Sequence, residues 1–280
     1  RHQKVKLSAS GVEIGGDMLF SRRVGFSGTP SDLLPLELGQ CDYEKGTDGM
    51  MVHVLTSPDM VGFSRVEEDW SVRSLLRRVA TATDTATGNP MFQSLIDTGA
   101  LITGFSNKGV AEYLLEHGLV WADGVVFLDE LDRKMVLVRA TKRVVKLAQC
   151  GIPADKRFAF YDQVHTTGMD ISHRLDARAA ITLGKDMTFR DYAQGAYRMR
   201  GLSKGQTIHL LVTPEIDRLV QRQLAKAGGI SAVVRAPAES NAAFLQAVVA
   251  WLVINSMQSE HTQFNQLAIQ NVTNVWRKNA

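Results

Sequence analysis

Between residues 50 and 230 short apolar runs alternate with amphipathic stretches, and no other feature restricts the fold so strongly. The runs at 124–128, 134–138, 143–147, 157–161, 179–183 and 207–213 have the length and apolar content of strands, as does 50–55. Residues 100–105 form one more short apolar run. Helical patterns lie among them. In 67–80, Trp70, Val72, Leu75, Leu76 and Val79 recur at helical spacing, and 107–117 is helical with Asn107 as the expected N-cap. Thr188 is the expected N-cap of a helix over 188–199, and Pro214 suits the first turn of another that runs to Lys226. The runs at 134–138 and 143–147 read as a hairpin. Short apolar strands joined by helices build a mainly parallel sheet covered on both faces, so the expected class is α/β.

Three sections are expected. Residues 1–49 mix short apolar runs with Gly and Pro, including a strand end at 21–26 and a turn at 27–32; they read as the end of a preceding lobe and a linker. Residues 50–230 are the sheet domain. Residues 231–280 are a helical extension in which 242–257 is apolar almost all round and 260–277 is polar-rich, predicting a helical hairpin that leans on the sheet. The chain opens on Arg1 in mid-pattern, which fits a piece of something longer. A net charge of +3 does not by itself argue for nucleic acid. No uninterrupted apolar run reaches the ~20 residues of a membrane span, so no membrane association is expected. Two cysteines, Cys41 and Cys150, make no disulfide framework and point to a reducing compartment, cytoplasm or nucleus.

Chemistry concentrates in two stretches. Gln194–Gln206 carries Arg198 and Arg200 at the end of a helix, with Gln194 one turn before Arg198 on the same face. Guanidinium groups placed there either pair with an anion, phosphate or carboxylate, or simply favour the helix dipole by a few tenths of a kcal/mol. Upstream lies His165-Thr166-Thr167-Gly168-Met169-Asp170, in which Gly168 permits a sharp turn beside a ligand and Asp170 would orient an arginine or a ribose hydroxyl. The blander reading is a polar connection capped by Asp170. Asp129 and Glu130 close an apolar strand as Mg²⁺-holding acids do, yet the sequence has no Gly-Lys-Ser/Thr loop, so they read as an ordinary turn. Cys150 and His165 occur in the order of a thiol nucleophile and its base, but Gln149-Cys150-Gly151 contains nothing that would activate the thiol. The seven histidines are scattered, and no metal site is expected.

These stretches resemble the second RecA-like lobe of superfamily 2 helicases and translocases of the SecA type. Ser27-Gly28-Thr29 is similar to the Thr-Gly-Thr that ends their first lobe. Thr167-Gly168-Met169-Asp170 is similar to motif V, with Thr167 where arginine is usual. Gln194–Gln206 is similar to motif VI, with Gln194 and Arg198 in register and Arg200 one residue early. Blocks at 95–104, 124–132, 165–170 and 198–207 also resemble very large fungal and protist proteins often catalogued as ubiquitin thioesterases. The resemblance implies a RecA-like (P-loop NTPase-type) sheet with a C-terminal helical extension. It implies ATP and Mg²⁺ bound in a longer parent, with Thr167, Gly168 and Asp170 toward the nucleotide and Arg198, Arg200 and Gln194 as its finger. The implied partners are a first RecA-like lobe and a polymer, either nucleic acid or polypeptide. On this reading the chain alone neither binds the nucleotide nor hydrolyses it. The thioesterase label implies a thiol-dependent deubiquitinase acting on ubiquitin, for which Cys150 and His165 are the candidates here; a non-catalytic scaffold of the same fold is a third reading.

Overall fold

In the computed structural model we describe residues 47–166, 169–226 and 241–279. The expectations placed on Cys41, on Ser27-Gly28-Thr29, on the strand end at 21–26, and on Thr167 and Gly168 lie outside these residues.

Eight strands form one mixed sheet: β1 (Val61–Arg65), β2 (Ser94–Ile96), β3 (Gly124–Leu128), β4 (Lys134–Val138), β5 (Val144–Lys146), β6 (Arg157–Tyr161), β7 (Arg178–Thr182) and β8 (Thr207–Val212). Their order is β1-β8-β7-β2-β6-β3-β4-β5. Every pairing from β1 to β3 is parallel, whereas β3-β4 and β4-β5 are antiparallel. The expected α/β class is therefore present, with an antiparallel edge.

Six helices of the described residues cover it: α1 (Thr47–Thr56), α2 (Val72–Thr81), α3 (Asn107–His117), α4 (Phe189–Ala196), α5 (Pro214–Lys226) and α6 (Asn241–Asn279). Successive side chains of a strand point to opposite faces, and both faces are buried here. Ile96, Val126, Ile181, Leu210 and Val212 join α1, α4, α5 and α6 in one apolar core. Leu95, Val125, Phe127, Ala180 and Leu211 join α2 and α3 in the other. That double burial is why the central strands read as continuous apolar runs.

Local chemistry sets the helix starts. Ser71 and Ser74 form a capping box at α2, each side chain accepting from the other's backbone N–H at 3.1 and 2.8 Å. Thr188 and Asp191 do the same at α4, as Thr188 predicts. At α3 the cap is Ser106, whose Oγ accepts from Gly109 N at 3.1 Å. Asn107, expected in that role, instead donates to the Leu128 carbonyl at 2.9 Å and so ties α3 to the end of β3.

Two expectations need correction, and one further apolar run is not a strand. Residues 50–55 are helix α1, not a strand. Met51, Val54 and Leu55 fall at helical spacing and are buried on the first face, but a run with one polar residue carries no period that would distinguish the two. The run 100–105 contains no strand; the strand is the three-residue β2 just before it, too short to leave a pattern. The predicted hairpin over 242–277 is the single helix α6, since Gln258, Ser259 and Glu260 contain no glycine or proline to break it. Its first half buries Leu245, Val248, Trp251 and Leu252 on the first face. Asn255 donates to the Met187 carbonyl at 2.9 Å and Ser256 Oγ accepts from Phe189 N at 3.1 Å, fastening α6 to the start of α4. Beyond Ser259 the helix is exposed on every side for about 30 Å. By length and composition alone α6 is able to cross a membrane; about 33 % of its apolar stretch is buried, against α1, α4, α5 and the edge strand β1.

Candidate functional site

The connections leaving β2 and β7 go to opposite faces, through α3 on the second and α4 on the first. Adjacent parallel strands whose connections diverge open a crevice at their carboxyl ends, where α/β sheets hold ligands. Here the crevice is closed by the chain itself. Thr98 Oγ1 donates to the Thr182 carbonyl at 2.7 Å, and Gly99 N donates to Thr182 Oγ1 at 2.9 Å. A Cβ on Gly99 would stand 2.5 Å from the Leu183 carbonyl carbon, and one on Gly184 2.6 Å from the Gly99 oxygen. Backbone packs on backbone, and glycine is required at both positions.

Asp97 lies at the centre of this closure, 2 % exposed. It accepts from Leu101 N and Ile102 N, both at 2.9 Å, and from Thr182 Oγ1 at 2.6 Å. Burial raises its pKa above the usual carboxylate range against the pull of those donors, and the nearby Asp162 charge adds to the rise. Sequence reasoning passed over Asp97. The available signal was an acid set directly between an apolar run and Thr98-Gly99.

The two stretches singled out by their arginines do meet. Asp170, in the connection from β6 to β7, faces the turn that follows α4. Arg200 holds it with two hydrogen bonds from Nη2, 2.7 and 2.6 Å, and a third from Nε at 3.0 Å. Arg198 Nη1 reaches the same carboxylate at 3.0 Å and also donates to the Met169 carbonyl. The Arg200 guanidinium lies 3.5 Å over the Tyr197 ring, a cation–π contact that fixes its plane. Tyr161, at the end of β6, accepts from Ile171 N at 3.0 Å through its hydroxyl, anchoring the connection beside Asp170.

Two guanidinium groups share one carboxylate, which leaves one positive charge over. Arg198 is 4 % exposed. Burial lowers its pKa and the Asp170 charge opposes that. Arg198 Nε, Arg200 Nη1, Tyr197 Oη and Arg157 Nε are buried without a hydrogen-bond partner among the described residues. His173 sits within the field of both Arg157 and Asp170; burial first, then Arg157, takes its pKa down to about 4. Its Nε2 lies 3.2 Å from the Tyr161 hydroxyl, within hydrogen-bond reach. An unspent donor in such a place is a standing cost of ~1–3 kcal/mol, relieved when an anion meets it.

The other expected groups stand apart. Gln194 is half-buried on α4, with no hydrogen bond to either arginine among the described residues. Cys150 is a half-buried free thiol packed against the first-face core; two residues on, Ile152 lies against Gly124, at the amino end of β3. His165 follows the carboxyl end of β6, and its two ring nitrogens face Asp162 at 2.5 Å and Asp132 at 2.8 Å. The thiol and the imidazole thus flank opposite ends of a strand and do not form a nucleophile–base pair. Asp129 accepts from Leu131 N, Arg133 N and Arg133 Nε, the ordinary work of a turn. Among the described residues no cluster of His, Cys, Asp and Glu is arranged to hold a metal ion.

A pocket of about 740 Å³ opens beside this turn, lined by Asn107 and Lys108 of α3, Leu128 and Asp129 at the end of β3, and Asp162 and His165 beyond β6. The fold and its polar groups define an α/β protein with a mixed eight-stranded sheet, a closed switch point and an Arg-Asp-Arg cluster in which Arg198 is buried and the shared Asp170 carboxylate is partly exposed. Comparison with known proteins gave no matching family, no matching curated relative and no matching solved structure.

Proposed function

We propose that this chain is the second, RecA-like lobe of an ATP-driven helicase- or translocase-like motor, and that its arginine cluster meets the phosphates of a nucleotide held mainly by another lobe of a longer parent. The observation that carries the reading is the convergence of Arg198 and Arg200 on Asp170, with N–H donors to spare on both guanidinium groups. Asp170 fixes the two side chains in advance, so little reorganisation is left for the moment when charge develops on a transferring phosphoryl group. A single positive charge in excess suits an anion that arrives and leaves with each cycle better than a permanent structural pair. The sequence has no phosphate-cradling Gly-Lys-Ser/Thr loop of its own, so the nucleotide and its Mg²⁺ belong to the partner lobe. The polymer moved is either nucleic acid or polypeptide.

The test is ATP turnover by the longer parent carrying Arg198→Ala or Arg200→Ala. Arg200 is the cleaner target because Arg198 is the more deeply buried. We expect kcat to fall by about 10³-fold with the circular-dichroism spectrum retained. Unchanged turnover in a folded Arg200→Ala parent would reduce the lobe to a scaffold. The separation of Cys150 from His165 gives a second expectation. A ubiquitin probe with a thiol-reactive end forms no adduct with this chain, and an adduct lost in Cys150→Ala would replace the motor reading with a thiol-hydrolase one.

A further inference from the structure

His165 lies between two carboxylates that reach it from different parts of the fold. Nδ1 faces Asp162 three residues back, and Nε2 faces Asp132, thirty-three residues away in the turn between β3 and β4. Both acceptors are acidic groups, and an imidazole donates from both nitrogens only as the imidazolium. The two contacts therefore exist together only while the ring carries its second proton.

The surroundings leave this role to His165. Lys108 of α3 faces the same pocket but pairs with Glu112 at 3.3 Å, and Arg133 of the β3–β4 turn pairs with Asp129 at 2.6 Å. Glu130 on that turn adds a further acidic group beside the pocket, and Asp97 beyond β2 lies near Asp162 but is pushed by burial toward its neutral form. Burial works against a charged His165, and the hydrogen bonds and charges of Asp132 and Asp162 overcome it, so its pKa is raised. Asp132 is exposed and held in the left-handed region at φ 57°, so its carboxylate hangs from a turn with little else to restrain it.

We propose that His165 is a proton-operated latch that ties the β3–β4 turn to the segment after β6 at the edge of the 740 Å³ pocket that both elements line, and that loss of its second proton frees the turn and widens the pocket. The local bond to Asp162 survives deprotonation; the long-range bond to Asp132 does not. A histidine whose folded pKa is raised contributes fully below its unfolded value, near 6.5, and loses that contribution as pH climbs through the folded pKa. The latch is therefore fully shut below the ordinary histidine value and is released only as pH climbs through the raised folded one. It stands independently of the motor reading, although the segment it fastens runs on toward Asp170.

The test is imidazole NMR of the 280-residue chain from pH 5.5 to 8.5, with His165 assigned by H165N, alongside amide exchange at residues 130–133. His165 should titrate above ordinary histidine, and D132N should bring it down by about one unit. Asparagine accepts the left-handed backbone of Asp132, so this variant keeps the turn. Exchange at Asp132 and Arg133, corrected for its intrinsic pH dependence, should accelerate about fivefold on passing through the His165 pKa, and that step should vanish in D132N, whose amide meets Nε2 as acceptor or donor in either protonation state. D162N, which removes the local carboxylate, should lower the pKa while leaving the turn protected at acid pH. A His165 that titrates at or below the ordinary value, or a turn whose exchange is flat with pH, overturns the proposal.

Discussion

Gly195 of α4 stands where a Cβ would lie 2.3 Å from Thr98 Cγ2, in the closure between β2 and β7. Gly195→Ala should accordingly destabilise the fold by about 1–3 kcal/mol, read as a shift of the urea midpoint at unchanged slope. Asp97 provides a complementary case. Removing its carboxylate leaves two backbone donors and the Thr182 hydroxyl without their acceptor in a dry site. Asp97→Ala should therefore cost about 2–4 kcal/mol. The sign of its pH dependence follows from the raised pKa. The folded state binds the Asp97 proton more tightly than the unfolded chain, so its stabilising contribution declines as pH rises from the ordinary carboxylate value through the folded one. The gap between wild type and Asp97→Ala should thus be wider near pH 4 than at pH 7. A gap that widens toward neutrality would mean that the three donors outweigh burial and that Asp97 is an ionised hub.

At the scale of elements, α6 divides at Met257. The half before it is part of the first-face core, through Leu245, Val248, Trp251 and Leu252, and the half after it is exposed apart from the half-buried Ser259. Deleting residues 258–280 should leave the unfolding free energy within about 0.5 kcal/mol of the full chain, whereas a deletion from Ala247 onward should not fold. A large loss from the shorter deletion would show that the outer half is held by contacts. This division also marks what could be read from the sequence. Helices with an apolar stripe, α2 through α5, were legible because each signals its buried face; the starts were less so, since α2 begins behind Ser71 rather than at residue 67 and α3 is capped by Ser106 rather than Asn107. Segments apolar on all sides were not. Residues 50–55 and 242–257 carry no phase, so helix and strand, or one helix and two, look alike until packing decides. Of the candidate site, the meeting of Asp170 with Arg198 and Arg200 was foreseeable from residue type and from the elements bearing them. The Asp132–His165 contact was not, because it depends on the antiparallel hairpin turning the β3–β4 tip toward β6.

At the scale of the molecule, both apolar cores rest on the same sheet, and β3 is buried on both its faces, with Val125 in one core and Val126 in the other. Neither side retains a wall if the other melts. The two should then unfold together, which a pair of single-tryptophan chains can test: one keeping Trp251, buried on the first face, the other keeping Trp121, packed on the second. Coincident urea transitions, by fluorescence and by circular dichroism, are the expected result. The antiparallel β4 and β5 sit at the sheet edge and make the weakest claim on this cooperativity. An earlier transition reported by Trp121 alone would mean that the α2–α3 layer and the hairpin edge open as a unit of their own. The pocket beside the hairpin, and the His165 bond at its edge, would then lie on the boundary between two cooperative units, and opening it would take far less than global unfolding.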